Sequence, residues 1–376
     1  MRVGIDATVL HGRFSGVENA VRGLLLGLAE IDRATEYVLF CGRQAPLAGP
    51  LPPNYRWHCL PFDAESKLRR IAFQQTGLPR LARALGLDAL HGPAYVTPIA
   101  HTVPTIASIY DLMIFLYPAL CAASNRLHYR LVLPRSAPLC RRVIVPSHAV
   151  ARSVEDVLGI PRQRVVVAHL GVDPRFCPPG PNTDREAERD RLGLPRQYLL
   201  YVGNIEPKKG LDTLCRALAI ARRDLGLAVP LVIAGKRAWG LPGLDGLIRD
   251  AGLGDAVLFT GYVPVEELPL LYALAEAFVF PSVYEGFGLP PIEAMACGAP
   301  VIASDAGALP EVTGDAVLRV PSGDARALAG AMRRLCDDRD LRACLSAKGL
   351  KQAARFSWRK HAEQVRNVYV EVTNGA

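Results

Sequence analysis

The stretch Glu285-Gly286-Phe287-Gly288-Leu289-Pro290-Pro291-Ile292-Glu293 sets two carboxylates eight residues apart around a glycine turn. The apolar run Ala277-Phe278-Val279-Phe280 before it reads as a buried strand. The run Ile292–Cys297 after it reads as a helix, with Pro290 and Pro291 suited to the first turn. A strand, a glycine turn and a helix start together make an anion site. Unpaired backbone N–H groups point out of the helix, and its dipole favours negative charge there. Gly286 and Gly288 let the backbone come close to a ligand. Phosphate would repel a neighbouring carboxylate, so Glu285 and Glu293 need another task, which is accepting hydrogen bonds from sugar hydroxyls. The pattern points to a ligand carrying both phosphate and sugar, such as a nucleotide sugar. The plainer reading is that both carboxylates are solvated or complement the helix dipole.

A second constellation is Tyr201-Val202-Gly203-Asn204-Ile205-Glu206-Pro207-Lys208-Lys209-Gly210, a strand, a turn and a helix start. Lys209 there is a flexible point charge beside backbone donors, suited to a diphosphate, and Lys208 supplies a second charge. Their plainer reading is an exposed helix start. Smaller signals are Gly12-Arg13-Phe14-Ser15-Gly16-Val17 after the first strand, His91-Gly92-Pro93 and Tyr110-Asp111 at strand ends, and Gly261-Tyr262-Val263. Each alone is compatible with an ordinary loop. Asp338-Arg339-Asp340 has the D-x-D spacing of a metal site but lies in a charged helical tail, so no metal ligand is assigned.

The Glu285–Glu293 string resembles the E-x7-E signature of the family 4 glycosyltransferases, the retaining enzymes of GT-B fold. Gly298-Ala299-Pro300-Val301-Ile302-Ala303-Ser304-Asp305 and Leu309-Pro310-Glu311-Val312 are similar to that family as well. So is His169-Leu170-Gly171-Val172-Asp173, where the family crosses between domains. The resemblance implies a metal-independent hexosyltransferase that uses a nucleotide diphosphate sugar as donor and no cofactor. It implies that Lys209 acts at the donor diphosphate, with Lys208 and the Gly286, Phe287, Gly288 and Leu289 backbone beside it. It implies that Glu285 holds sugar hydroxyls and Glu293 the ribose, while Gly16, Gly203, Asn204 and Val263 border the donor. Arg13 and His91 fall on the acceptor side, and Tyr110 and Asp111 near the transferred sugar. Two departures stand out. The family usually has histidine at the position of Tyr110, and often arginine at that of Asn204. Ser282–Glu293 with the Leu309-Pro310-Glu311 continuation resembles a string frequent among bacterial polysaccharide mannosyltransferases, which makes GDP-mannose or a related GDP-deoxyhexose the favoured donor.

The elements that must position these residues alternate. Strands are expected at Arg2–Asp6, Tyr37–Cys41, Tyr55–Leu60, Asp88–His91, Val103–Tyr110, Arg142–Pro146 and Val165–Ala168, with helices at Val17–Glu30 and, interrupted near Gly77-Leu78-Pro79, at Leu68–Leu85. A second series follows at Tyr198–Val202, Val229–Ala234, Ala256–Phe259, Ala277–Phe280, Val301–Ala303 and Ala316–Val320, and Trp358–Val372 reads as a terminal helix. This predicts an α/β chain of two doubly wound, Rossmann-like domains facing a cleft. The expected boundaries are 1–175, a proline-rich linker at 176–196, 197–356, and a helix at 357–376 that crosses back to the first domain.

The 376 residues suit two domains. No apolar run reaches the ~18 residues of a membrane span. Nine scattered cysteines without a C-x-x-C pair, and a start with no signal-peptide layout, predict a reduced cytoplasmic protein. Charge is uneven. Residues 1–175 hold 20 Lys+Arg and 12 Asp+Glu, a balance of +8, and the remainder hold 24 of each. Acid-free intervals between Glu65 and Asp88 and between Asp111 and Glu155 carry most of the excess. The expected partners are a nucleotide sugar, a glycan or lipid-linked acceptor, and an anionic membrane surface touched peripherally. Nucleic acid is not expected, because the basic stretches lack interleaved aromatics. Two other readings stay open: a sugar-nucleotide epimerase or hydrolase of similar fold, and a non-catalytic anion-binding protein.

Overall fold

A computed structural model describes residues 1–11, 15–44, 51–236 and 243–375. The chain divides into two compact units, Met1–Gly171 with Ser357–Ala376, and Val172–Phe356.

The first unit is built on a parallel sheet of β1 (Arg2–Asp6), β2 (Glu36–Cys41), β3 (Tyr55–Cys59), β4 (Ala89–Gly92), β5 (Thr105–Ser108), β6 (Arg142–Val145) and β7 (Val165–Val167), in the order β3-β2-β1-β4-β5-β6-β7. Central strands such as β4 and β5 are buried along their whole length, which is why they read as apolar runs rather than alternating ones. The helix Gly16–Ile31 starts at Ser15, whose hydroxyl accepts from the Glu18 amide at 3.2 Å, an S-x-x-E capping pattern. The terminal helix Trp358–Asn374 joins this unit. Its Ala362, Val365, Val368 and Tyr369 share one core with Leu24, Leu25 and Leu28 of the first helix.

The interruption expected near Gly77 is a π-turn instead of a break. Helix Lys67–Ala72 runs through a π segment, Phe73–Gly77, into helix Leu78–Ala84. The wider i→i+5 turn accommodates Pro79, which lacks an amide hydrogen. It also aims two neighbouring side chains at two strand ends. Gln74 donates to Oδ2 of Asp6, the last residue of β1, at 2.7 Å, and Gln75 donates to the Thr97 carbonyl at 3.2 Å beyond β4.

The second unit carries β8 (Leu199–Val202), β9 (Leu231–Ala234), β10 (Val257–Gly261), β11 (Ala277–Phe280), β12 (Val301–Ser304) and β13 (Leu318–Val320), all parallel, in the order β10-β9-β8-β11-β12-β13. In both sheets the strand order reverses beside the first strand, between β1 and β4 and between β8 and β11. Such a switch point opens a crevice at the carboxyl ends of the strands. Residues 176–196 belong to this unit and contain a helix, Arg185–Arg191, capped by Asp184. Arg185 and Arg189 of that helix donate to the carbonyls of Ala273 and Leu274. Asp338 of the D-x-D pattern caps a helix by accepting from the Leu341 amide at 2.8 Å. All nine cysteines are free thiols. Among the described residues no helix is long and apolar enough to cross a membrane.

Candidate active site

The loops after β8 and β11 flank the switch point of the second unit and are laced together. The turn Pro207–Lys209 ends at Gly210, whose φ of 66° suits glycine. A Cβ at Gly210 would sit 2.1 Å from the Pro281 carbonyl oxygen, so only glycine permits this approach. The Val283 amide donates to the Lys208 carbonyl at 2.8 Å. With the backbones locked, Lys209 Nζ donates to Glu285 Oε1 at 2.7 Å, and the two side chains are only 13% and 12% exposed. The ammonium also lies 5.2 Å from the centre of the Phe280 ring. Ser282 Oγ donates to the same Oε1 at 2.7 Å. The Ser282 carbonyl in turn accepts from Ser304 Oγ at 2.6 Å and from Ser322 Oγ at 3.4 Å.

Glu285 is held from its backbone as well. Its carbonyl accepts from the Ala308 amide at 2.8 Å, and Gly307, at φ 59°, passes so close that a Cβ would lie 2.2 Å from that oxygen. Burial alone would raise the Glu285 pKa, but the charges of Lys209 and Lys208 and the two hydrogen bonds outweigh it and hold the group below the usual carboxyl range. Both donors converge on Oε1. Among the described residues no donor reaches Oε2, which stays available to a ligand hydroxyl.

Glu293 has the opposite electrostatics. It projects from the helix Leu289–Ala296 and accepts from Tyr272 Oη at 3.1 Å. Burial pushes its pKa up to about 7, and the charge of Asp173 adds to the rise. Between them lie Gly286, Gly288 and Phe287, all buried, and half-buried Leu289. The Phe287 ring packs edge-on against Phe356, 5.6 Å between centres.

The donor-side residues on the other strands form a backbone ledge. The Gly203 amide donates to the Ala234 carbonyl at 2.9 Å, and Gly235 to that of Gly261 at 2.7 Å. Asn204 has an exposed side chain, and its carbonyl accepts from Tyr201 Oη at 3.1 Å. Val263 is half-buried beside exposed Tyr262, whose ring lies 4.4 Å from Lys236 Nζ.

In the first unit the expected residues are turned to other work. His91 is wholly buried, with Nδ1 2.7 Å from Tyr369 Oη and Nε2 2.8 Å from Ser108 Oγ. Burial and the nearby His361 push its pKa down to about 3, so it is neutral. His91, expected on the acceptor side, ties the terminal helix to β5 through both ring nitrogens. Asp111 accepts from Tyr95 Oη at 3.1 Å and from the Met113 amide at 3.0 Å, which commits one oxygen to the loop after β4 and the other to its own. Tyr110 is half-buried, its ring edge-on to Tyr95 at 5.7 Å, and burial raises its hydroxyl pKa. Gly16 begins the first helix and has open space around it. Arg13 lies outside the described residues.

Two family models fit this chain. Residues 14–176 match glycosyltransferase family 4, and residues 184–352 match glycosyl transferases group 1. O-antigen chain mannosyltransferase B of Escherichia coli is 31% identical over 280 residues, 74% of this chain and 73% of that protein. The chain belongs to the group 1, family 4 glycosyltransferases. The fold of this glycosyltransferase is GT-B. Sucrose-phosphate synthase from Thermosynechococcus elongatus superposes with a TM-score of 0.76 over 100% of both chains at 22% identity. HepE from Anabaena, in complex with UDP and glucose, gives 0.75 over 98% of this chain and 99% of its own at 19% identity.

Three features of the glycosyltransferase site escaped sequence reasoning. Lys209 and Glu285 had been assigned to different parts of a ligand, yet they pair across 76 positions of sequence. Ser282, three residues before Glu285, is the second donor to its carboxylate, and hydroxyl-to-carboxylate spacing was the signal available. Tyr272 comes from a separate helix, Leu268–Leu274, and nothing local marks it as a partner of Glu293.

Proposed function

We propose that this glycosyltransferase moves a hexose from a nucleotide diphosphate sugar to a growing bacterial surface glycan, with retention at the anomeric carbon and without a metal ion. The carrying observation is the Lys209–Glu285–Ser282 cluster at the switch point between β8 and β11. The largely buried Lys209 ammonium stabilises charge as the diphosphate leaves, the role a metal fills in other transferases. The free Oε2 of Glu285 accepts from a sugar hydroxyl, and Glu293 accepts from the ribose. The similarity to a mannosyltransferase of O-antigen chains supports mannose, hence GDP-mannose, as the donor and a polysaccharide as the acceptor. The solved HepE complex holds UDP, so the nucleotide is the first thing to test. A thermal-shift screen of GDP, UDP, dTDP and ADP sugars is expected to single out the GDP sugars, because a ligand raises stability by mass action. A shift only with another nucleotide would overturn the donor assignment. Incubating labelled donor without acceptor separates the transferase from an epimerase or hydrolase, which would consume it.

The lipid-linked nature of the acceptor, and peripheral attachment at the inner face of the membrane, belong to the same reading. Leu68, 81% exposed, lies among Lys67, Arg69 and Arg70, and exposed Leu127 and Leu131 flank exposed Arg130. Apolar side chains among cations fit an anionic bilayer surface, where each basic residue contributes about 1 kcal/mol. Co-sedimentation with anionic vesicles at low salt, lost when Arg70, Arg126 and Arg130 are changed to Glu, is the expected result. Wild-type protein that ignores such vesicles would refute the attachment.

A further inference from the structure

The sequence scatters its nine cysteines singly, but the first sheet brings two of them together. Cys41 is the last residue of β2 and Cys59 the last residue of β3, and the parallel register sets them opposite one another. Alternation puts Tyr37, Leu39 and Cys41 on one face of β2, and the same face of β3 carries Tyr55, Trp57 and Cys59. The rings of Tyr37 and Tyr55, 4.8 Å between centres, meet on that face at one end of the pairing. At the other end the Cys41 thiol donates to Cys59 Sγ at 3.5 Å. Just beyond, the Leu60 amide donates to the Cys41 carbonyl at 3.0 Å, so the backbones are held where the two sulfurs meet.

The two thiols differ in access. β3 is an edge strand of its sheet and Cys59 is exposed, whereas Cys41 is buried. Burial, then the Cys59 thiol beside it, push the Cys41 pKa up to about 12, so Cys41 keeps its proton. With an exposed sulfur in front of a buried one, an oxidant meets the first and the second closes the bond. The backbone geometry allows that bond. Neighbouring strands run about 4.8 Å apart, inside the ~4.4–6.8 Å of Cα separation that a disulfide spans.

We propose that Cys41 and Cys59 form a dithiol–disulfide site, oxidised by hydroperoxides and restored by dithiols. The Cys59 thiolate attacks one oxygen of hydrogen peroxide. The O–O bond breaks, the sulfur becomes a sulfenic acid, and the departing hydroxide takes up the proton that Cys59 shed. The Cys41 sulfur then attacks the Cys59 sulfur. The S–O bond breaks, and the proton of Cys41 leaves with the hydroxyl as a second water. Two electrons pass from the pair to the peroxide, and one S–S bond replaces two thiols. That bond closes a loop of 18 positions and ties the edge strand β3 to β2.

The test is to treat reduced wild-type protein with a small excess of hydrogen peroxide, block the remaining thiols and map tryptic peptides by mass spectrometry. Peptides 34–43 and 57–67 carry the two cysteines. They are expected to appear joined, in protein that runs as a single chain on a non-reducing gel, and to separate on adding dithiothreitol. Dimedone, which traps sulfenic acids, reports the order of events. Present during oxidation, it should label Cys59 about tenfold more in Cys41→Ala than in wild type, where Cys41 consumes the sulfenic acid first. In Cys59→Ala the buried Cys41 should stay reduced. The wild-type map stands whether or not either variant folds. The proposal is overturned if that map shows no joined peptides, if Cys59 joins another cysteine or a second chain, or if dimedone labels Cys59 equally in wild type and Cys41→Ala.

Discussion

The two units share a plan, a parallel sheet whose strand order reverses beside its first strand, yet they use their strand ends differently. In the second unit the loops after β8 and β11 converge, and the side chains marked by sequence meet in one buried ion pair. In the first unit the marked residues form no such pair among the described residues, and Tyr110 stays half-buried beyond β5. His91 disappears into the core and Asp111 braces the turn after β5. The difference teaches where chemistry constrains sequence. Charged groups that must meet across two loops are confined to a few residue types, whereas residues that serve packing are not.

The sharpest break of this contrast is Lys209→Ala. Turnover is expected to fall by about two to three orders of magnitude, the usual cost of removing one group that stabilises developing charge. Stability should fall by about 3–5 kcal/mol, because Glu285 is left buried without its partner. Pairing Lys209→Met with Glu285→Gln should recover much of the stability and none of the turnover. Recovery of turnover in steady-state kinetics would reduce the ion pair to a structural one. His91→Phe makes the opposite cut. It leaves Tyr369 Oη and Ser108 Oγ buried without their partner, about 1–3 kcal/mol by denaturant unfolding. The kcat of the folded fraction should be unchanged, and a lowered kcat would return His91 to the chemistry.

A third comparison sits inside the second unit, between Glu285, held ionised, and Glu293, with a pKa near 7. On the proposed ribose contact Glu293 would accept best as a carboxylate, so donor affinity should rise about tenfold from pH 6 to pH 8, and Glu293→Gln should flatten the profile. Calorimetry in buffers of different ionisation enthalpy should show proton release on binding. For the unliganded protein the sign reverses. The folded pKa of Glu293 is raised, so its contribution to stability is whole below the ordinary carboxyl range and is lost as pH rises through about 7. The smallest expected effect is that of Ser282→Ala. Removing one of two donors to Oε1 should raise the Glu285 pKa and shift the acid limb of kcat/KM upward, with a loss of a few fold at neutral pH. An unmoved acid limb would take Ser282 out of the network.

Much of this was legible in the chain. Ala277–Phe280 is a strand with the limits that its apolar run implies, and Glu285 and Lys209, singled out in two separate stretches, lie side by side. Their pairing was not legible, since nothing in a one-dimensional pattern reports that two loops 76 residues apart are laced through Gly210 and Val283. The π-turn at Phe73–Gly77 was equally silent, because an i→i+5 turn has no residue signature and Gly77 with Pro79 argues for a break. His91 shows the same limit, because nothing local reports that Tyr369, 278 positions away, meets one of its nitrogens.

That same tyrosine belongs to a helix made after the second unit. The second unit is one unbroken stretch of chain, while the first is split, its final helix lying beyond Phe356. On the ribosome the first unit therefore emerges early but stays unfinished, its apolar face around Leu24, Leu25 and Leu28 uncovered until Trp358–Asn374 appears. The second unit can close in the meantime. Synthesis order and completion order are inverted, and a chain stopped just short of residue 358 would hold a complete donor-side sheet beside a first unit that chaperones would still have to shield.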